Sequence, residues 1–220
     1  MENYKKNLKL LENNHVYSTE MEHDACGVGV IASTEGKKSR QIVEYGIEAL
    51  KAVWHRGAVD ADGKTGDGAG IHVEIPKDFF IEKIEVTGHD YDNAEICVGM
   101  IFLPRNDYAA QESCKTIVES ELTKNNFSIY GWRQVPVNSK VLGDKALQTM
   151  PEIIQVLFKS NDTNLLDKKL ERKIYETRKR IENKAFQLSL NNFYVCSISS
   201  KSIIYKGLYL AEAISDFYLD

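Results

Sequence analysis

Residues 21–33 read MEHDACGVGVIAS, and Cys26 heads a run of glycines and small apolar residues that continues to Ala32. That composition suits a buried strand, and the cysteine at its head admits two readings. It is either a small core residue or a nucleophile. Were residues 1–25 removed, Cys26 would carry a thiol and a free α-amine on one residue. An α-amine titrates near roughly 7.7 to 8.0, so close to neutral pH it can act as base for its own side chain. No separate histidine is then required, and none of the five histidines sits in a recognisable Cys-His pattern.

Outward from this strand, SRQIVEYGIEALKAVWHRG switches to helical spacing. Ile42, Tyr45, Ala49, Leu50 and Val53 form its apolar face, with Ser39 as N-cap and Gly57 near its end. A glycine-rich loop, AVDADGKTGDGAG, leads to a short strand, IHVEI, stopped by Pro76, and EICVGMIFLP forms another strand. Asp107 is placed to cap a second helix whose buried stripe is Ala110, Cys114, Ile117, Val118 and Leu122. FSIYGWRQVPV and EIIQVLFKS read as strands, and Gly143 and Pro151 limit any helix between them to a short one. A third long helix buries Leu166, Leu170, Ile174 and Ile181. Its many basic residues alternate with glutamates, as on a solvated face. Two strands, NNFYVCSISS and SIIYKGLYL, close the chain with SSKS as the turn between them. Strands that follow one another directly favour antiparallel pairing, hence an α+β layered fold.

The chain has 220 residues, 43% hydrophobic and 27% charged, which is enough for one substantial core and excludes a disordered or fibrous protein. A net charge of -4 gives no electrostatic reason to expect nucleic acid or an anionic membrane as partner. Cys26, Cys97, Cys114 and Cys196 are widely spaced without a CxxC pair, so neither zinc nor a redox motif is indicated, and free thiols fit a cytoplasmic setting. The first twenty residues contain no apolar signal core, and no run reaches the roughly 18 apolar residues of a membrane span.

Gly63-Lys64-Thr65 suggests a phosphate cradle, but five residues rather than four separate it from Gly57, and a helix precedes where a P-loop needs a strand. Asp60, Asp62 and Asp67 suggest calcium, yet an EF-hand needs an oxygen ligand and a glycine where this chain has Lys64 and Thr65. No metal site is expected.

ACGVG at a strand start, followed after one helix by HRGAVDADGKTGDGAG, resembles the class II glutamine amidotransferases. Within that class the glutamate synthase large subunits are the close match, because GWRQVPV, FYVCSIS and IIYKGLYL follow in the same order. The resemblance implies an αββα four-layer N-terminal-nucleophile hydrolase sandwich with mainly antiparallel sheets. It divides the chain into a leader, residues 1–25, and the N-terminal part of an amidotransferase domain, residues 26–220.

The resemblance further implies that cleavage between Ala25 and Cys26 exposes Cys26 as the nucleophile that releases ammonia from L-glutamine. Arg56 and Gly57 would support it, Arg56 by hydrogen bonding and Gly57 through its backbone. For Arg56 a role as C-terminal cap of its helix stands beside that one. His55 is expected to be structural and Asp24 an exposed acid of the leader. The family's oxyanion-hole Asn-Gly pair and its substrate-binding arginine and aspartate lie downstream of the FYL segment, and no Asn-Gly dipeptide occurs in these 220 residues. The fold is therefore expected to be incomplete at its C-terminus. Loss of one oxyanion donor costs on the order of 100- to 1,000-fold, so the chain alone should be weakly active or inactive. No cofactor is expected in the chain itself. FMN, an iron–sulfur cluster, the synthase domains and a small NAD(P)H-oxidising subunit are implied for the larger family enzyme. The competing expectations are a non-catalytic remnant, or one half of a split amidotransferase acting as an interaction module.

Overall fold

Strand CVGMIFL, residues 97–103, is apolar on both faces, and such a strand is stable only between two packed layers. In a computed structural model, which describes residues 2–14, 18, 26–54 and 57–220, it lies at the centre of the molecule. The elements run α1 (Glu2–Asn14), α2 (Arg40–Ala52), β1 (Ala69–Glu74), α3 (Lys77–Val86), β2 (Cys97–Leu103), α4 (Tyr108–Lys124) and β3 (Phe127–Gln134). They continue with α5 (Asp144–Thr149), β4 (Glu152–Ser160), α6 (Asp167–Gln187), β5 (Tyr194–Ser199), β6 (Ser202–Gly207) and α7 (Ile214–Phe217).

Four strands form one sheet in the order β3-β4-β2-β5, and β1 pairs with β6 in a second. Every pairing is antiparallel, as expected. Helices α4 and α6 pack on each other and against the four-stranded sheet. Beneath them Cys97, Ile101, Val156 and Phe158 meet Cys114, Val118, Leu122, Leu170, Ile174 and Ile181. The alternate residues Val98, Met100, Leu157 and Cys196 join a second cluster with Phe80, Ile84, Ile203 and Tyr209. Each fully buried aliphatic or aromatic side chain contributes on the order of 1.5–3 kcal/mol, so these two clusters carry the fold. Gly99 sits where the layers press closest: a Cβ there would come within 2.7 Å of Val156.

Several local readings agree with the structure. The Asp107 carboxylate caps α4 by accepting from the Ala110 N–H at 2.9 Å. The predicted stripes of α4 and α6 are buried, except for Ala110, which is half-buried in the first turn of α4, and Leu166, which stands exposed at the N-cap of α6. Three features differ. Residues 77–86, not assigned in the sequence, form α3, and the polar residues 2–14 form α1. Strands β5 and β6 join different sheets although only the short SSKS turn separates them. Finally, residues 26–33 form no strand, and Val28 and Val30 are 88% and 86% exposed. A small apolar run becomes a strand only when a neighbour takes its backbone hydrogen bonds. Among the described residues β1 and β6 take each other's, and neither pairs with this run.

Candidate active site

Of the four cysteines only Cys26 is exposed. Burial pushes the Cys114 and Cys196 thiols up to about 11 and raises Cys97 as well. Those three are therefore protonated, enclosed thiols at neutral pH, with little nucleophilic character. Ala25 and Arg56, with Asp24 and His55, lie outside the described residues.

Gly57 is described, and it closes the turn after α2 by donating its N–H to the Trp54 carbonyl at 3.0 Å. The Asp67 carboxylate sits beside it, so that a Cβ on Gly57 would fall 3.3 Å from Asp67 Oδ1. Residues 58–67 then fold back on themselves. Asp67 N–H donates to the Ala58 carbonyl at 3.3 Å, Val59 bridges Gly66, and Asp60 N–H donates to the Thr65 carbonyl at 2.9 Å. The stem of this loop lies directly on the chain after β6. A Cβ on Gly66 would come within 2.6 Å of the Tyr209 carbonyl oxygen, so only glycine permits that approach.

The tip is held by Asp62. Its Oδ1 accepts from the N–H groups of Lys64 at 2.9 Å and Thr65 at 2.7 Å, and its Oδ2 accepts from the Thr65 hydroxyl at 2.6 Å. The hydroxyl and backbone of Thr65 thus hold the Asp62 carboxyl well below the usual carboxylate range. The same oxygens reach the start of α5. Lys145 N–H donates to Asp62 Oδ2 at 3.4 Å, Ala146 N–H to Thr65 Oγ1 at 3.3 Å, and the Lys145 ammonium to Asp60 at 2.5 Å. The amides that a phosphate would need are therefore already engaged: those of Lys64 and Thr65 serve the Asp62 carboxylate, and that of Gly63 donates to the Asp60 carbonyl at 3.0 Å. Asp60 and Asp62 are likewise engaged with Lys145, and the described residues contain no cluster of three or more His, Cys, Asp or Glu able to hold a metal.

A second polar cluster escaped the sequence reading. Arg133 on β3 donates to Gln155 at 2.7 Å, forms an ion pair with Asp220, and lies over the Phe79 ring at 5.1 Å. Gln155 is fully buried, and the Tyr205 hydroxyl of β6 lies 3.5 Å from its amide nitrogen. No sequence signal marks Arg133, because pairing between distant elements leaves no local pattern. The Asp62 tip did have a signal: Asp-Gly-Lys-Thr is a turn sequence in which an aspartate side chain accepts backbone N–H groups further along.

The model of the class-II glutamine amidotransferases matches residues 26–220. The chain belongs to that family. The match begins at Cys26, and the antiparallel α+β architecture agrees with the fold expected of these amidotransferases. Over 217 residues the amidotransferase chain is 51% identical to the glutamate synthase (NADPH) large chain of Azospirillum brasilense, covering 99% of the present chain and 14% of that relative. It is 40% identical over 201 residues to ferredoxin-dependent glutamate synthase 1 of Arabidopsis thaliana, covering 90% and 12% respectively. A ferredoxin-dependent glutamate synthase of Pyropia yezoensis is 37% identical over 219 residues, with 96% and 14% covered. The chain thus spans about one seventh of the length of these curated relatives. No described helix is long and apolar enough to cross a membrane.

Proposed function

We propose that this chain is the N-terminal part of the glutaminase domain of a glutamate synthase large subunit, with Cys26 as nucleophile after removal of residues 1–25. The observation that carries the reading is the coincidence of the first residue matched by the family with the one exposed thiol.

In this reading the α-amine of Cys26 takes the thiol proton as sulfur attacks the side-chain carbonyl carbon of L-glutamine. The tetrahedral intermediate collapses, the C–N bond breaks, and the same proton passes to the departing nitrogen, so that ammonia leaves and a γ-glutamyl thioester remains. The amine next takes a proton from water, whose oxygen attacks the thioester. Glutamate departs and the thiol is restored. Gly57 holds the new amino terminus through its backbone, and Arg56 supports it by hydrogen bonding. The ammonia serves glutamate synthesis from 2-oxoglutarate in synthase domains of the larger enzyme, which work with a small NAD(P)H-oxidising subunit in a cytoplasmic setting. Such an enzyme also carries FMN and an iron–sulfur cluster, and the cysteines described here do not fit the cluster. Three of the four cysteines are enclosed at separate places, and none belongs to a ligand cluster. Both groups are assigned to the synthase domains.

Intact mass and glutamine hydrolysis, measured on the full-length polypeptide and on its Cys26→Ala variant, test the reading. Loss of residues 1–25 together with ammonia release in the wild type, and neither in the variant, is the expected result. Turnover that survives in the variant sinks it. An inert 220-residue chain that regains turnover on binding a complementary fragment would instead favour a split amidotransferase.

A further inference from the structure

We propose that Asp62 and Thr65 are positioning residues for glutamine hydrolysis: by fastening the tip of the 57–68 loop to the start of α5, they hold the Gly57 turn at the height the Cys26 amino terminus requires. The proposal rests on the function proposed above and adds to it two residues and a supporting helix. Four observations carry it. Asp62 spends both oxygens on the loop, accepting from Lys64, from Thr65 twice, and from Lys145 of α5. Thr65 is buried, donates its hydroxyl proton to Asp62 and accepts from the Ala146 N–H, so neither partner has a spare role. The ladder from Asp60–Thr65 through Val59–Gly66 to Ala58–Asp67 ends beside Gly57, which gives the clamp a continuous path to that turn. Gly143 completes the joint. A Cβ at that position would lie 2.2 Å from Asp62 Oδ2 and 2.4 Å from Thr65 Oγ1, so the approach of α5 to the loop depends on a residue without a side chain.

Release of the tip leaves the stem only its contact with the Tyr209 backbone, so the ladder can shift against that contact and carry the Gly57 turn with it. A displacement of about 1 Å in a group that orients a reacting atom costs on the order of 100-fold in rate. Because Gly57 orients the amine and does not bind glutamine, the loss falls on kcat and on the pH dependence, while KM stays within about threefold.

The test is glutamine hydrolysis by the full-length polypeptide, expressed per Cys26 titrated with a covalent glutamine analogue, so that misfolded molecules drop out of the count. Asp62→Ala is expected to lower kcat per titrated site by on the order of 100-fold and to move the acid limb of the kcat/KM profile. Asp62→Asn should fall between it and wild type, because its amide oxygen still accepts from Lys64 and Thr65. Gly143→Ala should reproduce the Asp62→Ala profile without altering the loop sequence. If either of these variants fails to fold, Thr65→Val carries the test, because it keeps the side-chain shape and removes only the hydroxyl. Wild-type kcat per site and an unmoved acid limb in the variants that fold overturn the proposal, provided that Cys26→Ala is inactive. Turnover in Cys26→Ala, or none in wild type, overturns the underlying function and the proposal with it.

Discussion

Ser200 meets Glu171 twice, its backbone N–H and its hydroxyl both donating to Glu171 Oε1 at 2.7 Å. Ser199 donates to the other carboxylate oxygen at 2.9 Å, and the Lys201 ammonium reaches Asp167 at 2.6 Å. The first turns of α6 thus grip the turn between β5 and β6 and direct the two strands into different sheets.

Removal of that grip by Glu171→Ala should cost about 1–3 kcal/mol, because the N–H and hydroxyl of the buried Ser200 lose their acceptor. Glu171→Gln retains an acceptor oxygen and should cost less. Urea unfolding followed by circular dichroism measures both. Equal stability of wild type and Glu171→Ala would show that the grip contributes nothing.

Thiol labelling separates the four cysteines. Brief treatment of the folded protein with iodoacetamide at neutral pH should modify Cys26 alone, since Cys97, Cys114 and Cys196 are buried and their thiols raised. All four should react in denaturant. Peptide mass mapping gives the count, and early labelling of Cys196 in the native state would contradict the packing between β5 and β6.

Asp92 should show itself in acid. It pairs with Lys159 and accepts from the Tyr130 hydroxyl at 2.6 Å, and these partners hold its carboxyl down to about 2. In the unfolded chain it titrates near 3.9. A depressed carboxylate stabilises the fold fully above the unfolded value, and the contribution fades as pH falls toward the folded one. The stability gap between wild type and Asp92→Asn should therefore be constant above about pH 5 and should shrink between roughly pH 4 and pH 2. With its side chain 47% exposed, the gap should stay below about 1 kcal/mol. A gap that widens on acidification would contradict the pairing.

Much of the architecture was legible from local pattern. The three- and four-residue spacing in α4 and α6, Asp107 as a cap and the Gly143–Pro151 limits on α5 all reappear in the structure. Each depends on contacts within one element or at its end. Helix α3 was missed because Phe79, Phe80 and Ile81 are consecutive apolar residues, which mask any helical period, and only Phe80 and Ile84 of that helix are buried. In the candidate site, the residue type and order at Cys26 and Gly57 carry the resemblance on which the proposed chemistry rests. The fastening of the loop by Asp62, Thr65 and Gly143 was not legible, because about 80 residues separate its two sides.

By itself the sequence determined which segments are helices and strands over most of the chain, that pairing is antiparallel, and which cysteine heads a motif of amidotransferase type. Those properties follow from side-chain period, turn chemistry and residue order, all of them local. Only the tertiary structure decided that β6 joins β1 and not β5, that the run after Cys26 lies exposed without a strand partner, and that the glycine-rich loop presents a carboxylate where a phosphate had seemed possible. Hydrogen bonds between distant segments settle such questions, and a strand, a turn or a carboxylate takes its final place from whichever partner satisfies its polar groups.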